Sequence, residues 1–342
     1  MNRSSARPLL ITTALLLATF VVSMGVGSVR IPLHQTLEVL WNALRGIPAG
    51  SEQAYRAGVI LLTLRLPRGL LMAMTGAALA GSGCAYQGLF RNPLADPYLI
   101  GAASGAGLGA VLSLTTRWPT GGFSYLAVPL SAFAGALLAV MLTYQLAKTG
   151  GTLPVTNLIL AGVAVSSFAT ALSSFLMINA SGELRRALVW LLGGSTMAGW
   201  KPVLGLLPYA AAGMAALSAM AFRLNVLQFG DEQAQQLGVN VRRSRGIIIL
   251  AATLSTAAAV AFTGIIGFVG LIIPHIARRL WGGDMRRLMP LSLVCGAIFL
   301  LGADILARVV MAPQELPVGI ITALCGAPFF LFILRQSKQG MW

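Results

Sequence analysis

Charge is scarce in this chain. Only 10% of its 342 residues are Asp, Glu, Lys or Arg, and just nine are acidic, whereas soluble domains carry roughly 25% charged residues. A sequence this poor in charge cannot clothe a water-exposed globule, and with 57% hydrophobic residues and a mean hydropathy of +0.81 it reads as a polytopic membrane protein. The two histidines, His34 and His275, are too few for a protein-built metal site of the usual kind. The three cysteines, Cys84, Cys295 and Cys325, stand isolated in apolar stretches without metal-ligand spacing, as small packing residues do. No G-x-x-x-x-G-K-[ST] phosphate loop is present. No apolar run has an Asp, Glu, Lys or Arg at its centre, where ion-coupled carriers usually place ionisable groups. A membrane-embedded enzyme would need histidines or acids gathered on one cavity, and the two histidines fall on opposite sides of the topology below. If the protein moves something uphill, the energy comes from a partner.

What the chain has is apolar runs. A spanning helix takes about 20 residues, and ten candidates follow: 8–29, 66–90, 98–116, 125–147, 157–179, 202–222, 246–265, 267–281, 289–307 and 316–334. The first follows Arg3 and Arg7 like a signal peptide, but its length favours an uncleaved helix. The eighth is short and follows Gly264, Gly267 and Gly270, which predicts a re-entrant turn before it. Gly76, Ala80 and Gly83, and likewise Gly101, Gly105 and Gly109, have the three-to-four spacing that lets helix backbones approach in lipid. The net charge of +15 lies in the gaps between runs without interleaved aromatics, so it orients spans and does not bind nucleic acid. The Lys and Arg bias weakly favours both termini inside, yet the outer side, with Arg30, Arg45, Arg56, Arg65, Arg68 and Arg308 among its cations, is unusually basic.

The most charged stretch is Arg223–Arg245, flanked by apolar runs. Gly230 and Asp231 open a short helical run with acids, Asp231 and Glu232, in its first turn, where the helix dipole favours them. Leu237 is its last apolar residue and Gly238 its stop, and Asn240 can cap a further short turn over Val241–Arg245. Two readings stand on the residues alone: a structured surface element for another protein to grip, or a solvated loop joining two spans.

Four stretches are more specific: Leu64–Arg68 (LRLPR); Gln87–Pro97 (QGLFRNPLADP) running into Gly101 and Gly105; Gly264–Arg278 (GIIGFVGLIIPHIAR); and Ala303–Arg308 (ADILAR) with Glu315–Gly319 (ELPVG) and Gly326–Phe330 (GAPFF). In this order they resemble the FecCD-type permeases, the membrane subunits of ABC importers for ferric siderophores, haem and cobalamin, over about residues 30 to 335. The resemblance implies an all-α type II ABC importer permease with about ten transmembrane helices. Residues 1–342 would form one membrane domain in the bacterial inner membrane. Implied partners are a second copy, two cytoplasmic ATPase subunits that bind ATP and Mg, and a periplasmic substrate-binding protein, with no cofactor or metal held by this chain.

The resemblance also assigns residues. The stretch of residues 223–245 matches a coupling segment, a pair of short helices docking on the ATPase, with Gly230, Asp231, Glu232, Leu237 and Gly238 as its contact core. Arg65, Arg68 and Arg308 match arginines presented to acidic residues of the binding protein; head-group anchoring is the alternative, and Asp304 could occupy Arg308. Asn92 and Leu94 in one turn, with Pro154 and Val155 in another, would close the inner mouth. The fifth span resembles a pathway-lining helix whose mild face is Ser166, Ser167, Thr170, Ser173, Ser174 and Met177, although Ser and Thr can instead bond back to their own helix. A further outer helix over Glu183–Trp200 would place Arg185 and Arg186 at the entrance. His275 sits in a structural turn motif and is expected to make a structural hydrogen bond, not to ligate iron.

Overall fold

The computed structural model describes residues 3–27, 31–47, 51–116, 124–149, 153–179, 182–194 and 197–337. These residues form an all-helical bundle. In chain order the helices are α1 (Arg3–Gly25), α2 (Leu33–Arg45), α3 (Glu52–Val59), α4 (Leu66–Phe90), α5 (Ala102–Thr115), α6 (Ala127–Ala147), α7 (Val155–Asn179) and α8 (Leu184–Leu191). They continue with α9 (Lys201–Ala219), α10 (Ala221–Leu227), α11 (Asp231–Gln236), α12 (Val241–Thr263), α13 (Val269–Trp281), α14 (Met285–Val309) and α15 (Val318–Ser337). Each of the ten apolar runs holds the body of one helix; the third begins in a 3-10 turn ahead of α5, the sixth runs from α9 into α10, and the end of the first, residues 28–29, lies outside the described residues. Among the described residues, seven helical stretches are long and apolar enough to cross a membrane, and Ala102–Thr115 and Val318–Ile333 are shorter apolar helices. The chain is a multi-pass membrane protein.

The helix α4 is the hub, packing against α9, α12, α13 and α14. Its glycines explain how. A Cβ on Gly76 would run into the backbone of Gly296 on α14, and one on Gly83 into the backbone of Gly270 on α13. The small-residue spacing in the sequence therefore marks backbone-to-backbone contacts, which lipid cannot drive hydrophobically and which rely on close van der Waals fit. Gly105 and Gly109 do the same for α5 against α6. The helix α12 is buried along almost its whole length from Ile248 to Thr263.

The re-entrant break appears where the glycines placed it. Residues 264–267 leave helical geometry between α12 and α13, with Gly264 at φ +68 and Phe268 also left-handed. In the first turn of α13, buried Gln87 of α4 donates from Nε2 to Gly270 O at 3.3 Å and Leu271 O at 3.0 Å; Pro274 of α13 has no N–H to offer the Gly270 carbonyl four residues back, and Gln87 supplies a donor in its place.

Three elements differ from expectation. The outer helix expected over Glu183–Trp200 ends at Leu191, because Gly193, Gly194 and Gly199 all take positive φ and the Gly194 amide donates to Thr263 O at 2.6 Å. The short turn expected over Val241–Arg245 is the first turn of α12 itself, since Gly246 does not interrupt it. The connection before the second span contains two unforeseen helices, α2 and α3, too short and too mixed in composition to meet a spanning rule. From Glu52 the helix runs unbroken to Phe90, widening to a π-helical stretch over Ile60–Arg65.

Candidate functional site: a knob and two mouths

The segment of residues 223–245 folds as a compact knob at one end of the bundle. Gly230 (φ +113) and Gly238 (φ +79) bracket α11, conformations that glycine adopts without a Cβ penalty. The Gly238 amide donates to Gln235 O and the Val239 amide to Ala234 O, closing the helix with a left-handed turn. Asn240 caps α12, its Oδ1 accepting from the Arg243 amide at 2.9 Å. Ala234 is fully buried beneath α11, whereas Leu237 is 64% exposed. Phe229, which the sequence reading passed over, is 67% exposed on the other flank; an aromatic directly before the helix-opening Gly230 was the available signal. Two large exposed apolar side chains at the two ends of a six-residue helix form a surface suited to a protein partner.

A polar latch fixes the knob to the bundle. Asn225 of α10 donates from Nδ2 to Asp284 Oδ1 at 2.6 Å and accepts the Met285 amide on Oδ1 at 2.8 Å. Asp284 is also the N-cap of α14, accepting from the Arg286 amide at 3.0 Å. The hydrogen bonds from Asn225 and the Arg286 amide hold the Asp284 carboxyl below its ordinary range.

The two expected mouths lie beside the knob. In the first, Arg91 ends α4 in left-handed geometry, Asn92 Oδ1 accepts from the Leu94 amide at 2.9 Å, and Asp96 Oδ1 accepts from the Tyr98 amide at 2.8 Å. Pro93 and Pro97 thus sit in a turn stiffened by two side-chain-to-backbone bonds, with Leu94 half-buried. In the second, Pro154 is exposed and Val155 half-buried at the start of α7, where Pro154 O accepts the Leu158 amide. The mouths and the knob share one apolar cluster: Ala95, Leu158, Leu227, Ala234 and Val241 are buried in it, with Leu153 and Val155 packed against it.

The arginines expected to face a binding protein are placed differently. Arg65 and Arg308 are 8% and 4% exposed and serve the C-terminal end of α1. Arg65 Nη1 donates to Met24 O at 2.6 Å; Arg308 Nη1 donates to Val26 O at 2.9 Å and Arg308 Nη2 to Ser23 Oγ at 2.9 Å. A helix leaves its last carbonyls without partners, and two guanidinium groups supply them with fitting charge. Arg308 also pairs with Asp304 at 3.0 Å, the occupancy the sequence had left open. The expectation that Arg65 and Arg308 present outward is therefore corrected. Arg68, whose side chain is 20% exposed, spans buried Asp304 and the more exposed Glu315 and alone reaches the rim.

The expected face of α7 splits. Ser167, Thr170 and Ser174 are exposed, but Ser173 is buried and Ser166 half-buried, as is Met177. Ser166 Oγ meets Ser104 Oγ of α5 at 3.0 Å, and Ser173 and Ser174 donate to Ala169 O and Thr170 O of their own helix. Ser166 and Ser173 accordingly point into the subunit and not along an open wall. Large apolar side chains, Val163, Phe168 and Phe175 among them, share the exposed surface. Arg185 and Arg186 are exposed on a cavity of about 480 Å³ that Tyr125, Pro129, Trp190 and Met197 also line. Arg186 pairs with Glu183 at 3.1 Å, and Lys201 Nζ lies 4.3 Å from the centroid of the Tyr125 ring. His275 is half-buried, edge-on to Phe329 at 6.1 Å. Among the described residues no His, Cys, Asp or Glu cluster could hold a metal.

Comparison with known proteins agrees with this architecture. The FecCD transport family model matches residues 15–336. The chain is 46% identical to the cobalamin import system permease protein BtuC of Halobacterium salinarum over 82% of this chain and 75% of that protein. It is 38% identical to the hemin transport system permease protein HmuU of Yersinia pestis over 97% and 98% of the two chains. A solved ABC transporter described as of the metal-chelate type, in an inward-facing conformation, superposes with a TM-score of 0.82 at 30% identity, covering 97% of this chain and 99% of that one. With an all-helical membrane bundle, a capped knob and two proline-stiffened turns in one arrangement, and a family match over residues 15–336, this chain belongs to the FecCD transport family and is an ABC importer permease.

Proposed function

We propose that the protein is the membrane-spanning subunit of an ATP-driven importer that carries a metal chelate, haem or a ferric siderophore, into the cytoplasm across the bacterial inner membrane. Two copies flank a central pathway, and residues 1–342 act as a single membrane domain. Two ATPase subunits bind ATP and Mg at the knob end, which is cytoplasmic along with both termini. A periplasmic binding protein delivers the chelate at the other end. The chain does no chemistry on its cargo; alternating access comes from rigid-body movement of packed helices between discrete arrangements.

The observation that carries this reading is the knob, a rigid short helix with Leu237 and Phe229 exposed, latched by Asn225 and packed into the cluster that holds both mouths. Gly230, Asp231, Glu232, Leu237 and Gly238 form the ATPase contact. Asn92, Leu94, Pro154 and Val155 form the inner gate. Ser167, Thr170 and Ser174, with their apolar neighbours, face the pathway, a weakly polar wall from which a large chelate can leave. Arg185 and Arg186 offer positive charge at the entrance to propionate or siderophore carboxylates. Arg68, the only one of the three expected arginines at the rim, steers the binding protein.

Cobalamin is the alternative cargo, supported by the 46% identity to a cobalamin permease. Reconstitution with the cognate ATPase and binding protein, followed by ATP-dependent uptake of haem, a ferric siderophore and cobalamin in parallel, tests the assignment. Uptake of an iron chelate supports it; uptake of cobalamin alone overturns the cargo, and uptake of none overturns the transport reading.

A further inference from the structure

One side chain joins the knob to the second mouth. Arg245, on the first turn of α12, places Nη2 2.7 Å from Asp231 Oδ1 on α11. Its Nη1 lies 3.5 Å from the backbone oxygen of Leu153, directly ahead of Pro154 and Val155. The guanidinium is largely withdrawn from water, its side chain only 14% exposed, so it is shielded from the screening that weakens surface pairs. Its planar fork can serve two acceptors at once in a fixed geometry, which a lysine ammonium on its flexible stem does not. We propose that Arg245 is a positioning residue that couples displacement of the knob to the second mouth, by holding Asp231 of α11 and the Leu153 carbonyl in one frame.

Three further contacts make the connection mechanical and not merely local. Asn157 Nδ2 donates to Thr149 Oγ1 at 3.1 Å, tying the start of α7 back toward the end of α6. Leu153 and Val155 pack on the cluster that buries Ala234 of α11, and close-packed apolar groups transmit displacement with little compression. On the other side, a Cβ at Gly230 would stand 3.7 Å from Arg91 Nη1, so the first mouth abuts the same end of α11. Arg245 is the polar link to the second mouth, whereas at the first mouth the Arg91 side chain lies against Gly230.

The proposal rests on the reading of the knob as the ATPase contact, and its test separates the two. In the complete importer, reconstituted with its ATPase and binding protein, Arg245→Ala and Arg245→Lys are compared with wild type for ATPase co-purification, ATP hydrolysis and cargo moved per ATP. Arg245→Ala is expected to keep ATPase association within about twofold, the range of ordinary surface changes. It is expected to lower cargo per ATP by about tenfold, a coupling loss of the usual size. Arg245→Lys, which keeps the charge but not the fork, falls between. In cargo moved per ATP, Asp231→Asn combined with Arg245→Ala is no worse than Arg245→Ala alone, because the partners act as one unit in coupling; ATPase association, to which Asp231 also contributes, is scored separately. Cargo per ATP within about twofold of wild type in Arg245→Ala, or loss of ATPase association in parallel with transport, overturns the proposal. Should Arg245→Ala fail to accumulate in membranes, Arg245→Lys decides, since wild-type coupling in that variant overturns the role of the fork. Undiminished association in Leu237→Asp would instead remove the knob reading itself.

Discussion

Asp304, fully buried on α14, lies 2.9 Å from the guanidinium of Arg68 on α4. The same carboxylate takes Arg308 one turn along its own helix at 3.0 Å, and Arg68 continues to Glu315. The end of the bundle opposite the knob is thus closed by a charge network that ties α1, α4 and α14 together. A buried carboxylate flanked by two guanidinium groups is costly to disrupt, because removing one partner strands the others in low dielectric.

Arg308→Ala is therefore expected to destabilise the protein by about 3–5 kcal/mol, through the Ser23 and Val26 carbonyls it leaves unserved as well as through Asp304. Thermal unfolding in detergent measures this. A variant with wild-type unfolding temperature but impaired binding-protein affinity would restore the docking role that burial argues against. Arg68→Gln tests the rim: because it also removes a partner of Asp304, folded protein is first isolated, and that fraction should associate with the binding protein more weakly than wild type, with the deficit larger at low ionic strength than at high, because screening removes steering.

The latch between Asn225 and Asp284 has a pH signature. The Asp284 carboxyl is held below its ordinary range by Asn225 and the Arg286 amide, so its folded pKa is depressed. Its contribution to stability is present above the unfolded carboxylate pKa and is lost as pH falls through the folded value. Acid unfolding of Asp284→Ala should lose that component, while at neutral pH the variant is less stable by about 1 kcal/mol from the missing N-cap. Equal acid sensitivity in variant and wild type would contradict the latch.

Much of this fold was legible in the sequence because lipid imposes so few solutions. Each apolar run became a helix, and the glycines at 76, 83, 105 and 109 announced backbone contacts through spacing alone. The knob was equally readable, since Gly230, Gly238 and Asn240 are local signals with local outcomes. What the sequence concealed depends on distant partners. Nothing around Arg65 or Arg308 reveals that the end of α1, some 40 and 285 residues away in the chain, has carbonyls to be capped. The split of the α7 serines likewise depends on Ser104 of α5, and helical periodicity leaves the direction of that face unspecified. Arg245 was visible as a cation, but its reach to Leu153 was not.

Backbone contact gives a sharper prediction than any side chain. Gly83→Leu would drive a branched side chain into the backbone of Gly270, and cores do not absorb such volume without displacement. Folded yield in membranes should collapse, whereas Gly246→Ala, where an added Cβ meets nothing within 4 Å, should fold normally and gain slightly in helix propensity. Comparable yields for the two variants would mean that α4 and α13 are not packed at this distance.

The central claim is that this permease has no engine of its own and works only when a nucleotide-hydrolysing partner moves its knob. Cargo accumulation in sealed vesicles tests it most directly, comparing permease alone under a proton or sodium gradient with permease plus its ATPase, binding protein and ATP. Accumulation only in the ATP-supplied vesicles, abolished there by Leu237→Asp, is the predicted result. Gradient-driven accumulation by the permease alone would contradict it.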